Sequence, residues 1–122
     1  MVEQTDFVSV NTQDMPRARA FYGETLGLSA GHQMDSFAEF ETGNLTLMVV
    51  DPTAIGREFA PNPASIALRV TDVHAERERL EGLGVTFFGE TIDTGVCHMA
   101  PFADPDGNAL LLHRRYAPRG DA

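Results

Sequence analysis

Four histidines (His32, His74, His98 and His113) and a single cysteine, Cys97, are the side chains best suited to metal ligation or nucleophilic chemistry. Cys97 and His98 are adjacent, and neighbours along an extended strand point to opposite faces, so they make no nucleophile–base pair. No two ligand-type residues stand at metal-site spacing, which leaves only a relocated site drawing His113 together with Glu39 or Glu41. Asp104 and Asp106 offer two carboxylates within one short loop, as a calcium site would. The ladder of further ligands and the closing Glu of an EF-hand are missing. Glycine-rich phosphate loops, a Gly-x-Ser-x-Gly elbow and Cys-x-x-Cys are all absent from the sequence. Arg69 is different in kind. Its planar fork of donors suits a carboxylate or phenolate, or else an ion pair with Glu39 or Glu41.

These residues must be positioned by local structure that the pattern makes legible. In Asp104-Pro105-Asp106-Gly107-Asn108, Pro105 presets the first corner of a tight turn and Gly107 can take the left-handed conformation that closes it. Asp104 and Asn108 can bond their own backbone at its edges, so a hairpin is expected, with strands over about 96–103 and 108–114. Residues 7–12 alternate apolar and polar as a half-buried strand. Asp14 then caps a helix with Pro16 in its first turn, and Ala18, Phe21, Tyr22 and Leu26 form its apolar face. Gly27 ends it, and strands follow at 29–34, 37–42 and 44–50, with a turn at Thr42-Gly43-Asn44. Residues 51–63 hold three prolines and no periodicity, which marks a linker.

Beyond the linker the order repeats. Ile66–Val70 reads as a strand, Asp72 caps a helix carrying Val73, Arg77, Leu80 and Leu83, Gly84 ends it, and a strand is expected near 85–90. The halves superpose at an offset of about 58 residues. The expectation is α+β: one domain of two βαβββ modules, about 6–50 and 64–114, with a frayed tail beyond Arg114. The tail's Arg119-Gly120-Asp121 matches an adhesion tripeptide by chance, since no secretion signal accompanies it.

Two blocks carry a resemblance. Phe102-Ala103-Asp104-Pro105-Asp106-Gly107-Asn108 followed by a strand, and Ala20-Phe21-Tyr22-Gly23-Glu24-Thr25-Leu26-Gly27-Leu28, are similar to the closing hairpin and first-helix ending of the vicinal oxygen chelate superfamily. That group includes glyoxalase I, bleomycin-resistance proteins and extradiol dioxygenases, and the resemblance runs from about Asp6 to His113. It implies curled mixed sheets around a ligand cleft, lying within one chain or between two. In enzymatic members it also implies a divalent metal held by His and Glu. The positions matching those ligands are Phe7, Ser65 and Leu111, with a fourth near Thr46 or Met48. None of these supplies an imidazole or carboxylate, so no cofactor or metal is expected.

Strand parity then divides the strands into two faces. Val8, Val10, Leu45, Leu47, Ile66, Leu68, Leu110 and Leu112 are uniformly aliphatic and belong under the helices. Phe7, Ser9, Thr46, Met48, Ser65, Arg69, Met99, Leu111 and His113 share the other parity and are the candidate ligand-binding residues, with Cys97 and Pro101 beside them. His98, Ala100 and Phe102 should face the helices, and His32 and His74 should be solvated. A mostly apolar wall with sparse polar groups suits a small organic molecule.

The formal charge of −9 opposes nucleic-acid binding. No run approaches a membrane span, and the lone cysteine fits a reducing cytoplasm. The functional reading is a small-molecule-binding protein of the bleomycin-resistance type, sequestering an antibiotic or aromatic metabolite as a homodimer without catalysis. The alternatives are a metal-dependent lyase, isomerase (lactoylglutathione lyase type) or dioxygenase with relocated ligands, and a structural dimer without ligand.

Overall fold

Alternation and capping place the elements largely where the pattern puts them. The computed structural model describes residues 1–119. In chain order the first half is β1 (Phe7–Asn11), α1 (Met15–Ala20), β2 (Ser29–Gln33), β3 (Phe37–Glu41) and β4 (Thr46–Val50). The second is β5 (Ile66–Arg69), α2 (Val73–Gly82), β6 (Ile92–Asp93), β7 (Cys97–Ala103) and β8 (Ala109–Arg115). Each half forms a four-stranded mixed sheet, ordered β1-β4-β3-β2 in one and β5-β8-β7-β6 in the other. In both, the first strand runs parallel to the last and the remaining pairs are antiparallel. This is the repeated βαβββ order of an α+β fold.

The chain divides into two compact units: residues 1–63 with Asp104–Asn108, and residues 64–103 with 109–122. In the first, Val10, Ala38, Phe40, Leu47 and Val49 are buried on the sheet side that α1 covers, together with Ala18, Phe21 and Tyr22. After Ala20 the helix widens into a π turn over Phe21–Thr25, and Leu26 N–H donates to the Phe21 carbonyl at 2.8 Å. In the second unit Ala100, Phe102, Leu110 and Leu112 are buried beneath Val73 and Leu80 of α2.

Both helices start on the residues that the capping pattern names. Asp14 accepts from Arg17 N–H at 3.0 Å and Asp72 from Ala75 N–H at 3.1 Å. Asp72→Ala should therefore cost about 1 kcal/mol, read as a small fall in melting temperature that Asp72→Asn largely restores.

Four local expectations are corrected. No strand spans 85–90: Phe87 makes a single bridge to Phe102. Gly89, at φ 73°, then turns the chain away, and Arg77 takes the Gly89 carbonyl at 2.7 Å while lying 4.9 Å over the Phe87 ring. Leu83, expected within the second helix, is instead its exposed C-cap just beyond Gly82. The linker contains one short 3-10 turn, Pro52–Ile55, capped by Asp51. Finally, Arg115 ends β8, and the N–H groups of Tyr116 and Ala117 both donate to the Val96 carbonyl at 3.0 and 3.1 Å. The tail is thus held beyond Arg114, while Gly120 and Asp121 lie outside the described residues.

Candidate functional site

The Asp-Pro-Asp-Gly-Asn turn has its expected backbone: Gly107 takes φ 88° and its N–H donates to the Asp104 carbonyl at 3.0 Å. Its side chains do more than close the turn. Asp104 accepts from the backbone N–H groups of Asp106 (3.0 Å) and Asn108 (2.9 Å), from Asn108 Nδ2 at 2.8 Å and from the Tyr22 hydroxyl at 2.5 Å. Asn108 Nδ2 also donates to the Asn11 carbonyl, and Asn108 Oδ1 accepts from the N–H groups of Asn11 and Asn62. Asp106 accepts from Thr12 Oγ1 at 2.6 Å, Gln13 N–H at 2.9 Å and Arg17 at 2.9 Å. All three polar side chains of the loop are thereby consumed inside the first unit, and the turn is structural. Burial, then the Asp104 carboxylate, push the Tyr22 phenol far above its usual value.

The candidate ligand residues fall on the sheet faces opposite the helices. In the first unit Phe7 lies beside Thr46 and Ser9 beside Met48, with Glu41 and Glu39 next to them on β3. Phe7 is 52% exposed, a large apolar side chain left uncovered on this face. The Thr46 hydroxyl is already engaged, donating to the Glu41 carboxylate at 3.0 Å. In the second unit Arg69 lies beside His113, which lies beside Met99, and Ala67 and Pro101 flank Leu111. Ser65 stands exposed just ahead of β5.

Cys97 has the parity of that face but is not open on it. It is buried, with its sulfur 3.1 Å from Thr94 Oγ1, because the 94–97 turn folds over it. His98 turns toward α2 as parity requires. Its ring stands edge-on to His74 (5.0 Å between centroids) and tilted over Tyr116 (4.8 Å), and Nε2 lies 3.4 Å from Asp93. Gly95 N–H, then the Tyr116 hydroxyl, hold Asp93 below the usual carboxylate range, and the bond to Asp93 raises Tyr116.

Where the resemblance puts metal ligands, Phe7, Ser65 and Leu111 offer no imidazole, thiolate or carboxylate. Among the described residues no three His, Cys, Asp or Glu side chains gather as a metal-binding group. The donor set of this chain does not fit a divalent cation at the superfamily position.

Sequence reasoning missed one feature. A depression of about 180 Å³ in the second unit is lined by Arg69, His113, Arg114, Arg115, Ala117 and Arg119. Arg69 and His113 were legible as candidates, but the contribution of Arg114, Arg115 and Arg119 was hidden by the expectation of a frayed tail.

No described helix is long and apolar enough to cross a membrane. The uncharacterized protein YetH of Bacillus subtilis (strain 168) is 30% identical over 118 residues, spanning 92% of this chain and 98% of its own. Among solved structures, TnmS3, an antibiotic binding protein from Streptomyces sp. CB03234, is 28% identical at a TM-score of 0.78, covering 93% of this chain and 97% of that one. Lactoylglutathione lyase from Agrobacterium tumefaciens shares the fold at a TM-score of 0.76 and 20% identity, over 92% of this chain and 93% of its own. The family model for the Glyoxalase/Bleomycin resistance protein/Dioxygenase superfamily matches residues 4–112, nearly the whole of both βαβββ units. The chain belongs to that superfamily.

Proposed function

We propose that this protein binds a small organic molecule on the helix-free faces of its sheets and releases it unchanged, as a sequestering protein would. The observation that carries this reading is the chemistry of the metal-ligand positions: Phe7, Ser65 and Leu111 replace donors with a ring, a hydroxyl and an isobutyl group. Without a Lewis acid at that place the superfamily's shared chemistry loses its electrophile, while the faces keep a mostly apolar surface with few polar groups. Phe7, Met48, Met99 and Leu111 would supply the apolar contacts, and Ser9, Thr46, Ser65, Arg69 and His113 the polar ones. The likeness to an antibiotic-binding protein supports the same class of ligand. Assembly as a homodimer belongs to this proposal, since β2 and β6 leave open sheet edges that pairing would cover.

The competing reading is a metal-dependent lyase, isomerase or dioxygenase with displaced ligands. One experiment separates them. Protein dialysed against a chelator is melted with a panel of basic antibiotics, aromatic acids and neutral aromatic metabolites. A binder present at a hundred times its Kd should add about 2.7 kcal/mol of stability without added metal. A flat panel, or turnover of a hemithioacetal that appears only on adding Zn²⁺ or Ni²⁺, would overturn the proposal.

A further inference from the structure

We propose that the end of the second unit's sheet where β5 meets β8 is a binding site for the oxyanion, carboxylate or phosphate, of a small organic acid. The inference deepens the ligand-binding reading and rests on it for the organic part of the ligand. The oxyanion part stands on its own observations.

The chain has nine basic residues, all arginine, against eighteen acidic ones. Most arginines outside this place are spent locally: Arg17 pairs with Asp106 (2.9 Å), Arg77 with Glu81 (3.4 Å) and Arg79 with Glu76 (2.5 Å), while Arg19 donates to the Met34 carbonyl. Arg69, Arg114, Arg115 and Arg119 instead line one depression together with His113, and no carboxylate of the described residues lines it. Among the described residues, Arg69 and Arg114 form no ion pair. Four guanidinium groups gathered with no carboxylate among the described residues that line the depression repel one another, and a bound oxyanion offsets that repulsion. Arginine also presents paired donors that match both oxygens of a carboxylate or phosphate.

Local structure holds the cluster in place. Arg69 and His113 are register partners on β5 and β8, so they share a face. Arg115 donates to the Ala117 carbonyl at 3.0 Å and the Pro118 carbonyl at 3.2 Å, which fixes the segment leading to Arg119. A depression of about 180 Å³ is smaller than the pockets that enclose whole drug-sized ligands. It suits the acid group alone. Met99 and Leu111 adjoin it on the same face and would carry the apolar remainder. The net charge of −9 does not forbid this, because distant surface charges are screened within about 10 Å at 0.1 M salt.

The test uses the full chain at constant ionic strength, titrated by NMR with inorganic phosphate, benzoate and neutral benzamide. Phosphate and benzoate should each saturate resonances of Arg69 and His113, with benzamide at least tenfold weaker than benzoate. Arg69→Ala should weaken benzoate and phosphate at least tenfold. Arg57→Ala, which makes the same change of charge in the irregular segment of the other unit, should change either less than twofold. Saturation by only one of the two anions assigns the site to that acid class. Equal losses in both variants, or benzamide binding as tightly as benzoate, would overturn the site. Failure of phosphate and benzoate together sinks the oxyanion inference alone. Failure of every antibiotic and neutral aromatic in the melting panel sinks the ligand-binding reading instead.

Discussion

Replacing Asp104 by alanine should lower the stability of the first unit by about 3–5 kcal/mol, a fall of roughly 10–20 °C in its melting temperature. The side chain is a hub: it accepts from two backbone N–H groups, from Asn108 Nδ2 and from the buried Tyr22 hydroxyl. Asn108 and Tyr22 are fully buried, so water cannot replace the lost acceptor. Each orphaned donor then costs about 1–3 kcal/mol, far more than the net worth of a hydrogen bond. Asp104→Asn should be milder, because the amide keeps one oxygen and the phenol can reverse its role and accept. A melt of Asp104→Ala within 2 °C of the parent would show that the network is dispensable. The same substitution should leave the arginine-lined depression of the other unit able to bind phosphate, which tests whether the turn is structural only.

The second large effect is alkaline. Tyr22 has its phenol raised by burial and by Asp104, so the folded chain keeps a proton that the unfolded chain releases above its usual value of 10.0. Its contribution is therefore complete below about pH 10 and is lost as pH rises beyond it, at up to about 1.4 kcal/mol per pH unit. The chain has two tyrosines and no tryptophan, which makes phenolate absorbance easy to assign. While the protein remains folded, one phenol should ionise: the exposed Tyr116, itself somewhat late because it donates to Asp93. The second should ionise only together with unfolding. In Tyr22→Phe that coupled step should vanish, leaving a lower but flatter stability between pH 9 and 11. Two independent phenol titrations in the folded protein would contradict the burial argument.

The sequence by itself determined the repeat, the helix caps, the closing turn and the face each strand residue takes. Such features are local: Asp14 and Asp72 reach N–H groups three residues on, Gly107 needs only its own φ, and alternation follows from the pleat. The faces on which the candidate residues lie were legible to the same depth. Parity puts Phe7 with Thr46 and Arg69 with His113 on shared faces, and it is the resemblance alone that implies that Phe7, Ser65 and Leu111 stand where metal ligands would be.

Only tertiary structure decided the rest. Nothing near Asp104 or Asp106 in the sequence says that Tyr22, Thr12 and Arg17, some eighty to ninety positions away, complete their hydrogen bonds. Phe87 and Phe88 have strand-like character, yet Gly89 and Arg77 end that pairing after one bridge. Cys97 has the parity of an open face and is buried by the turn that precedes it. Arg115 and Arg119 look like a loose tail until the Val96 carbonyl, just ahead of β7, and the Arg115 guanidinium hold the segment that continues β8. The reason is common to all four. A short window encodes backbone torsions and side-chain parity, whereas partners distant in the chain are fixed by which buried donors and charges must be satisfied once the strands have paired.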